Sequence, residues 1–532
     1  MNRRNFLLSG LALPLVAPRS GLCASGRIDI LPEEPIGKIA PTIYGHFTEH
    51  IGGVIYDGVW VGENSKVPNV GGIRKALVDK LRQIQAPVIR WPGGCFADSY
   101  DWRDGVGPRD KRPTRTNFWA NTPYLGKGPN GPQKYEPNAF GTNEFAHFCS
   151  LAGAQPYIAA DLRSLPARDF YQWIAYCNSP AGTTSLAKLR AQGGSSQPFD
   201  VHYWGVGNES WGCGGNFTGD EYAVEFRRYT TWVPRYGLDL HLVASGPNGN
   251  DYSWTESFFR KVTEKGPGEL RNIFGFALHY YCGGPNNGLA DQFSLDQWYA
   301  QLADAVVMED LIRNHWRIMG QTDKKHEVKL VVDEWGSWHK TDPSIAPNYL
   351  FGYYPSLRDA LVSGLTLDTF NRNADKIAMA NDAQLINNIN ALFIGVEDRF
   401  IVTPNFYVFD MYKAHQGATS LRTVISGPIL EQKSARGLAA LAGSASMRSK
   451  RCTLTVTNAD AQNPQQVEIG VKGRRISGAK ATVLTSKDIH AHNTLDQPNG
   501  IEPVRNKNVP IASPFTYSFA PASVTRLDLD LA

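Results

Sequence analysis

The chain has 532 residues, 42% of them hydrophobic and 20% charged, with a formal net charge of +4. That length allows two or more domains with sizeable cores. No basic tail or Lys/Arg cluster marks a nucleic-acid partner, and past residue 26 no stretch is apolar enough for stable membrane insertion.

Residues 1–26 have the form of a targeting segment. Arg3-Arg4-Asn5-Phe6-Leu7 resembles a twin-arginine export signal, residues 7–17 are a short apolar run, and Ala24 and Ser25 are small enough for a cleavage site. Cys23 follows Ser20-Gly21-Leu22, a poor lipobox. The expectation is an exported, periplasmic or secreted protein. Residues 27–41 open with a strand-like piece, residues 27–31, whose expected place is outside the barrel, paired with the C-terminal domain.

From residue 42 to 400 strand and helix signals alternate. Apolar, β-branched runs fall at residues 43–47, 87–91, 155–160, 201–206, 241–245, 274–279, 329–333 and 376–380, which makes eight. Between them Ile73, Leu77, Leu81 and Ile84 recur at helical spacing, and Pro87 ends that run. Phe145, Phe148, Cys149 and Ala152 do the same, with Asn143 as a candidate cap and Gly153 just beyond. Eight alternating units predict an α/β fold, a (β/α)8 TIM barrel with right-handed crossovers. Residues 103–141 are rich in Pro and Gly, carry Phe118, Trp119, Tyr124 and Tyr135, and have no period. So long a loop after the second strand is read as a wall of a cleft.

From residue 401 to the end the period becomes two. Cys452, Leu454 and Val456 alternate with threonines, Val467, Ile469 and Val471 with polar residues, and Leu527, Leu529 and Leu531 with charges. This predicts a C-terminal antiparallel β-sandwich, jelly-roll-like. Beyond Cys23 there are six scattered cysteines, Cys95, Cys149, Cys177, Cys213, Cys282 and Cys452. They lack the density of a disulfide scaffold and the spacing of a metal site. They are read mostly as buried free thiols, with no pairing assigned.

Two predicted strands run out into carboxylates. Trp204-Gly205-Val206-Gly207-Asn208-Glu209-Ser210 ends the fourth, and residues 328–335, which include Asp333 and Glu334, end the seventh before Gly336 and Trp338. Alone, either glutamate reads as the cap of the next turn. Two on one barrel rim, in a chain with 13 Trp and 22 Tyr, suggest glycoside hydrolysis. That reaction takes one carboxyl to protonate the leaving oxygen and another to attack or to activate water.

"WGVGNES" and "VVDEWGSWH" resemble the acid/base and nucleophile motifs of glycoside hydrolase family 51, the α-L-arabinofuranosidases. "IYGHFTEHIGG", "VIRWPGGCFADSYDWRDGVGPR", "GTNEF", "ALHYY" and "NDAQLINNI" are similar to further blocks of that family, in its order. The likeness runs from about Thr42 past Gln384. It implies the same barrel and sandwich, a retaining mechanism with Glu209 as acid/base and Glu334 as nucleophile, and sugar contacts from Glu49, Asn208, Tyr281 and Gln384. Tyr280 is the alternative to Tyr281. Many members have Asn where this chain has Cys95, so sugar binding is not carried over to that position.

The activity implied is exo-acting release of terminal α-L-arabinofuranosyl residues from arabinoxylan, arabinan or derived oligosaccharides, with no cofactor and no metal. The alternatives are an endo-β-glucanase or xylanase-like glycosidase on the same fold, and a non-catalytic sugar-binding protein. The partner is thus a saccharide, and the resemblance implies a homo-oligomer. His46-Phe47-Thr48-Glu49-His50 matches a zinc-protease signature that requires a helix, but its setting argues for a strand end and loop. His279 and His339 are candidates to support the carboxylates, or are core histidines.

Overall fold

A computed structural model describes residues 26–119, 135–345 and 349–532. The segment read as an export signal lies outside the described residues except for Gly26, which already belongs to a strand, Gly26–Lys38. Tyr124 of the long loop also lies outside them.

Eight parallel strands close into a barrel: Gly45–Phe47, Val88–Trp91, Gln155–Ala160, Tyr203–Val206, His241–Ala244, Gly275–Gly283, Lys329–Trp338 and Ile377–Asp382. Val88, Tyr157, Val243, Ala277, Val331 and Met379, with Tyr203 and Phe274 packed against them, form a separate buried cluster. They are contributed by or border successive strands, so the barrel is filled by side chains and its chemistry is confined to the rim.

The outer helices bury the stripes their periodicity predicts. Leu77, Val78, Leu81 and Ile84 are the buried face of Lys75–Ile84. Ile73 does not belong to that helix. It pairs with Val70 across Gly71-Gly72, whose φ values are 57° and 87°, and this small hairpin delays the helix start. Helix Thr142–Ala152 is capped at Gly141, not at Asn143, because the Glu144 carboxylate turns back to accept from the Gly141 N–H at 2.8 Å. Asn143 instead donates to the Gly193 carbonyl.

After the barrel come a hairpin, Phe393–Val396 with Arg399–Val402, and helix Pro404–Tyr412. A nine-stranded β-sandwich sheet follows, antiparallel except where Gly26–Lys38 runs parallel to Gln465–Val471. That N-terminal strand also pairs with Thr419–Ser426 on its other side. The alternating positions around Leu454, Ile469 and Leu529 point into a second core shared with Ile28 and Ile30. Among the described residues no helix is long and apolar enough to cross a membrane.

Candidate active site

The fourth strand stops at Val206, and the chain turns at Gly207 (φ 82°) into Asn208 and Glu209. Glu209 itself has φ 39°, a conformation that residues with a Cβ avoid unless their surroundings impose it. The surroundings are a tight turn in which the N–H groups of Gly212 and Gly214 both donate to the Glu209 carbonyl, at 2.7 and 3.1 Å.

Glu334 is reached differently. The seventh strand does not end at the carboxylate but continues to Trp338, with a register shift against the sixth strand. Ala277 pairs with Val331, and His279 then pairs with Glu334. The extra residue is a bulge, and it re-aims the side chains that follow. Asp333 accepts from the Tyr157 hydroxyl (2.8 Å) and the Asn381 amide (3.1 Å) in the barrel interior. Glu334 stands in the cleft beside it.

The two glutamates meet at His279. Its Nδ1 is 3.1 Å from Glu209 Oε1 and 3.5 Å from Glu334 Oε2, and one carboxylate oxygen of each glutamate lies within 4.8 Å of the other. Arg90 Nη1 donates to Glu334 Oε1 and the Tyr281 hydroxyl to Oε2, both at 2.8 Å. Burial would push the Glu334 carboxyl up, but the charges of His279 and Arg90 and the hydrogen bonds of Arg90 and Tyr281 outweigh it. They hold this carboxyl below its ordinary range. Burial works against charge on His279 as well, and there the two glutamates prevail and raise its affinity for a proton. Glu209 has one-fifth of its side chain exposed, against 8% for Glu334.

Glu49 closes the far side. Its oxygens accept from the Phe96 N–H at 3.0 Å and the Gln384 amide at 2.8 Å. Burial, helped by the charge of Glu334, raises its carboxyl to about 7. Gly94 lies between Glu334 and Glu49. A Cβ there would sit 3.0 Å from Glu334 Oε1 and 3.3 Å from Glu49 Oε2, so a side chain at this position would crowd both carboxylates. Asn208 accepts from Arg90 Nη2 at 2.5 Å. The Tyr280 hydroxyl turns away to the Asp304 carbonyl.

A cleft of about 870 Å³ opens over this group, walled by Trp119, Trp211, Trp338 and Phe351. Trp119 brings part of the long loop into that wall. His339 is not among the site's neighbours, since its Nε2 pairs with Asp359 at 2.8 Å in the core. His46 and His50 share no helix face. His46 packs on Phe409, while His50 bonds Glu136 and accepts from Trp91.

Two features escaped the sequence reading. Arg90 lies inside one of the family-like motifs with nothing in the sequence to show its partners, although a lone cation in an apolar strand must find buried ones. The second is a pairing that the sequence leaves unassigned, although most of the cysteines are buried thiols as expected. Cys95 and Cys213 form a disulfide, while Cys149, Cys177, Cys282 and Cys452 are buried thiols. The barrel brings together two rim loops 118 residues apart, which no spacing announces.

This geometry has known relatives. A family model described as "Alpha-L-arabinofuranosidase 1 domain" matches residues 80–281, and one described as "Alpha-L-arabinofuranosidase C-terminal domain" matches residues 333–523. The intracellular exo-α-L-arabinofuranosidase of Bacteroides ovatus is 34% identical, over 91% of this chain and 90% of its own length. The crystal structure of the family 51 arabinofuranosidase from Xanthomonas axonopodis pv. citri is 36% identical with a TM-score of 0.87, covering 95% of this chain and 100% of that one. An arabinose complex of the Thermotoga maritima α-L-arabinofuranosidase has a TM-score of 0.81 at 27% identity, with coverage of 95% and 100%.

The relatives also overturn the expectation of export to the periplasm or medium. Those from Bacteroides ovatus, Bacillus subtilis, Acetivibrio thermocellus and Streptomyces lividans are all named intracellular. A short apolar run behind two arginines is a weak signal, and it does not outweigh four concordant relatives. On these matches along nearly its whole length, the chain is a glycoside hydrolase and belongs to family 51, the α-L-arabinofuranosidases.

Proposed function

We propose that the protein is an exo-acting α-L-arabinofuranosidase working with retention, Glu334 as nucleophile and Glu209 as acid/base. The observation that carries this is the pair itself. Its two carboxylate oxygens lie within 4.8 Å of each other, which supports the short separation, roughly 5–5.5 Å, of retaining enzymes over the roughly 6.5–9.5 Å of inverting ones.

In the first step Glu334, kept ionised by Arg90 and His279, attacks the anomeric carbon. The bond to the leaving oxygen breaks as Glu209 gives that oxygen its proton. Water then attacks the arabinosyl-enzyme, Glu209 takes up its proton, and the sugar leaves with its original configuration. Asn208, Glu49, Gln384 and Tyr281 orient the furanose. The buried Glu49–Gln384 pair supports a blind end that admits one terminal sugar. The Bacillus subtilis relative is named for exo action on (1→5) linkages, which supports arabinan-type substrates. An intracellular location favours imported oligosaccharides from arabinan or arabinoxylan over intact polymer.

The test is hydrolysis of 4-nitrophenyl α-L-arabinofuranoside by wild type, Glu209→Ala and Glu334→Ala, with and without azide. The wild type is expected to be active, and each variant to lose at least about 10²-fold in turnover. Azide should rescue Glu209→Ala to give the α-arabinosyl azide, because it replaces water after the covalent step. With Glu334→Ala it should give the β-azide. Wild-type action on aryl cellobiosides in place of the arabinofuranoside, or a β-azide from Glu209→Ala, would overturn the reading.

A further inference from the structure

The disulfide lies against the proposed acid. Both Cys95 Sγ and Cys213 Sγ are 3.6 Å from Glu209 Oε2, the carboxylate oxygen that His279 does not hold. Bonded to each other, the sulfurs have no S–H to donate, so they pack on this oxygen without competing for its lone pairs. Cys213 also sits in the turn whose flanking Gly212 and Gly214 N–H groups hold the Glu209 carbonyl. Cys95 sits in the loop that carries Gly94 and Phe96 against Glu334 and Glu49. The bond therefore ties the backbone of Glu209, strained at φ 39°, to the loop that shapes the sugar's other side.

We propose that Cys95 and Cys213 are positioning residues for Glu209 and that their disulfide makes acid assistance redox-dependent. A dithiol reductant breaks the S–S bond. Two electrons and two protons pass to the cysteine sulfurs, and the reductant becomes its own disulfide. The turn is then untethered, and two thiol donors face the oxygen that has to carry the proton. Both cysteines are half-buried and line the cleft, within reach of a small reagent. The compartment named for the relatives is one where thiol pools can open such bonds. The proposal rests on Glu209 being the acid/base, and the experiment separates the two ideas.

Two substrates are compared by kcat/KM, which reports the first, glycosylating step. Arabinobiose needs a proton on its leaving oxygen, and 2,4-dinitrophenyl α-L-arabinofuranoside does not. Wild type is assayed oxidised, after dithiothreitol, and after reoxidation with oxidised glutathione, alongside the double variant Cys95→Ser, Cys213→Ser. Native thiol titration before and after dithiothreitol counts the opened pair by difference, because the other four cysteines among the described residues are buried and a Cys23 thiol belongs to the starting count.

The expected result is two new thiols and a loss of roughly 10- to 100-fold on arabinobiose. The dinitrophenyl glycoside should change less than about threefold, glutathione disulfide should reverse the effect, and the double variant should ignore dithiothreitol. Equal losses on both substrates would mean a merely structural bridge and would overturn the proposal. So would two new thiols without any kinetic change, or no new thiols at all. Glu209→Ala run on the same pair of substrates tests the acid role separately. If it spares the dinitrophenyl glycoside while reduction affects neither substrate, the disulfide proposal alone fails. If it does not discriminate, the acid/base reading fails first.

Discussion

Arg90 sets the charge balance of the cleft. It is buried in the second strand and lies over the Phe47 ring, and its guanidinium serves Glu334 and Asn208 while standing 4.0 Å from Asp333. Burial disfavours its charge, but the two carboxylates more than restore it, so it stays protonated. A fixed cation here lets two adjacent buried carboxylates coexist. Arg90→Met removes that cation at similar volume. Glu334 is then left to His279 and Tyr281, its carboxyl rises, and it is ionised only at higher pH. The acid limb of kcat/KM should therefore move to higher pH, with kcat/KM falling about 10²- to 10³-fold at neutrality. Breaking a buried pair from one side should also cost about 3–5 kcal/mol of stability, read as a lower denaturation midpoint. A pH–rate profile whose acid limb stays in place would remove Arg90 from the charge balance of Glu334.

At the scale of elements, the site depends on where strands stop and how loops leave them. The fourth strand delivers Glu209 through a turn that Gly214 closes. A Cβ on Gly214 would fall 1.8 Å from the Asn208 carbonyl oxygen, a backbone atom that can make way only if the chain itself moves. Gly214→Ala must therefore push residues 208–209 outward. The expected outcome is a 10- to 100-fold loss of kcat, roughly what a displacement of about 1 Å costs, with far-UV circular dichroism close to wild type and a lowered melting temperature. Unchanged kcat would show that the turn accommodates the methyl without moving the acid. Such turns also mark the limit of the sequence. Glu209 and Glu334 were legible because apolar strand runs ended at carboxylates and the motifs were long. The bulge before Glu334 was not, because the apolar run Leu330-Val331-Val332 passes into Asp333-Glu334 with no glycine to mark it. For His339 the sequence leaves two readings open, support for the carboxylates or a core histidine, and the structure decides for the second, because the strand carries it past the rim to Asp359. The pairing of Cys95 with Cys213 is a product of barrel closure and leaves no local pattern at all.

At the scale of the whole molecule, barrel and sandwich are joined by buried polar contacts as well as by the N-terminal strand. Trp298 on a barrel helix donates to the Ala459 carbonyl. Asp368, on helix Leu357–Arg372, accepts from Ser444 at 2.6 Å and Thr455 at 2.5 Å, both on sheet strands, and from Tyr412 at 2.8 Å. Burial dominates over these hydrogen bonds and lifts the Asp368 carboxyl from 3.8 to about 7. The folded state then holds a proton that the unfolded chain has already released, so the stability this one group contributes is fully present below about pH 4 and is lost as pH rises through about 7. At roughly 1.4 kcal/mol for each tenfold change in proton affinity, the full effect approaches about 4 kcal/mol. Asp368→Asn imitates the protonated carboxyl. Its oxygen still accepts from Ser444 and Thr455, and its amide can donate to the Tyr412 oxygen. Glu49 titrates in the same direction in both proteins, so the difference between them isolates Asp368. The melting temperatures of wild type and Asp368→Asn should be similar at pH 4.5 and diverge by pH 8 in favour of the variant. A constant difference across that range would mean that this interface carboxyl is ionised throughout and that the seam between the two domains does not respond to pH through it.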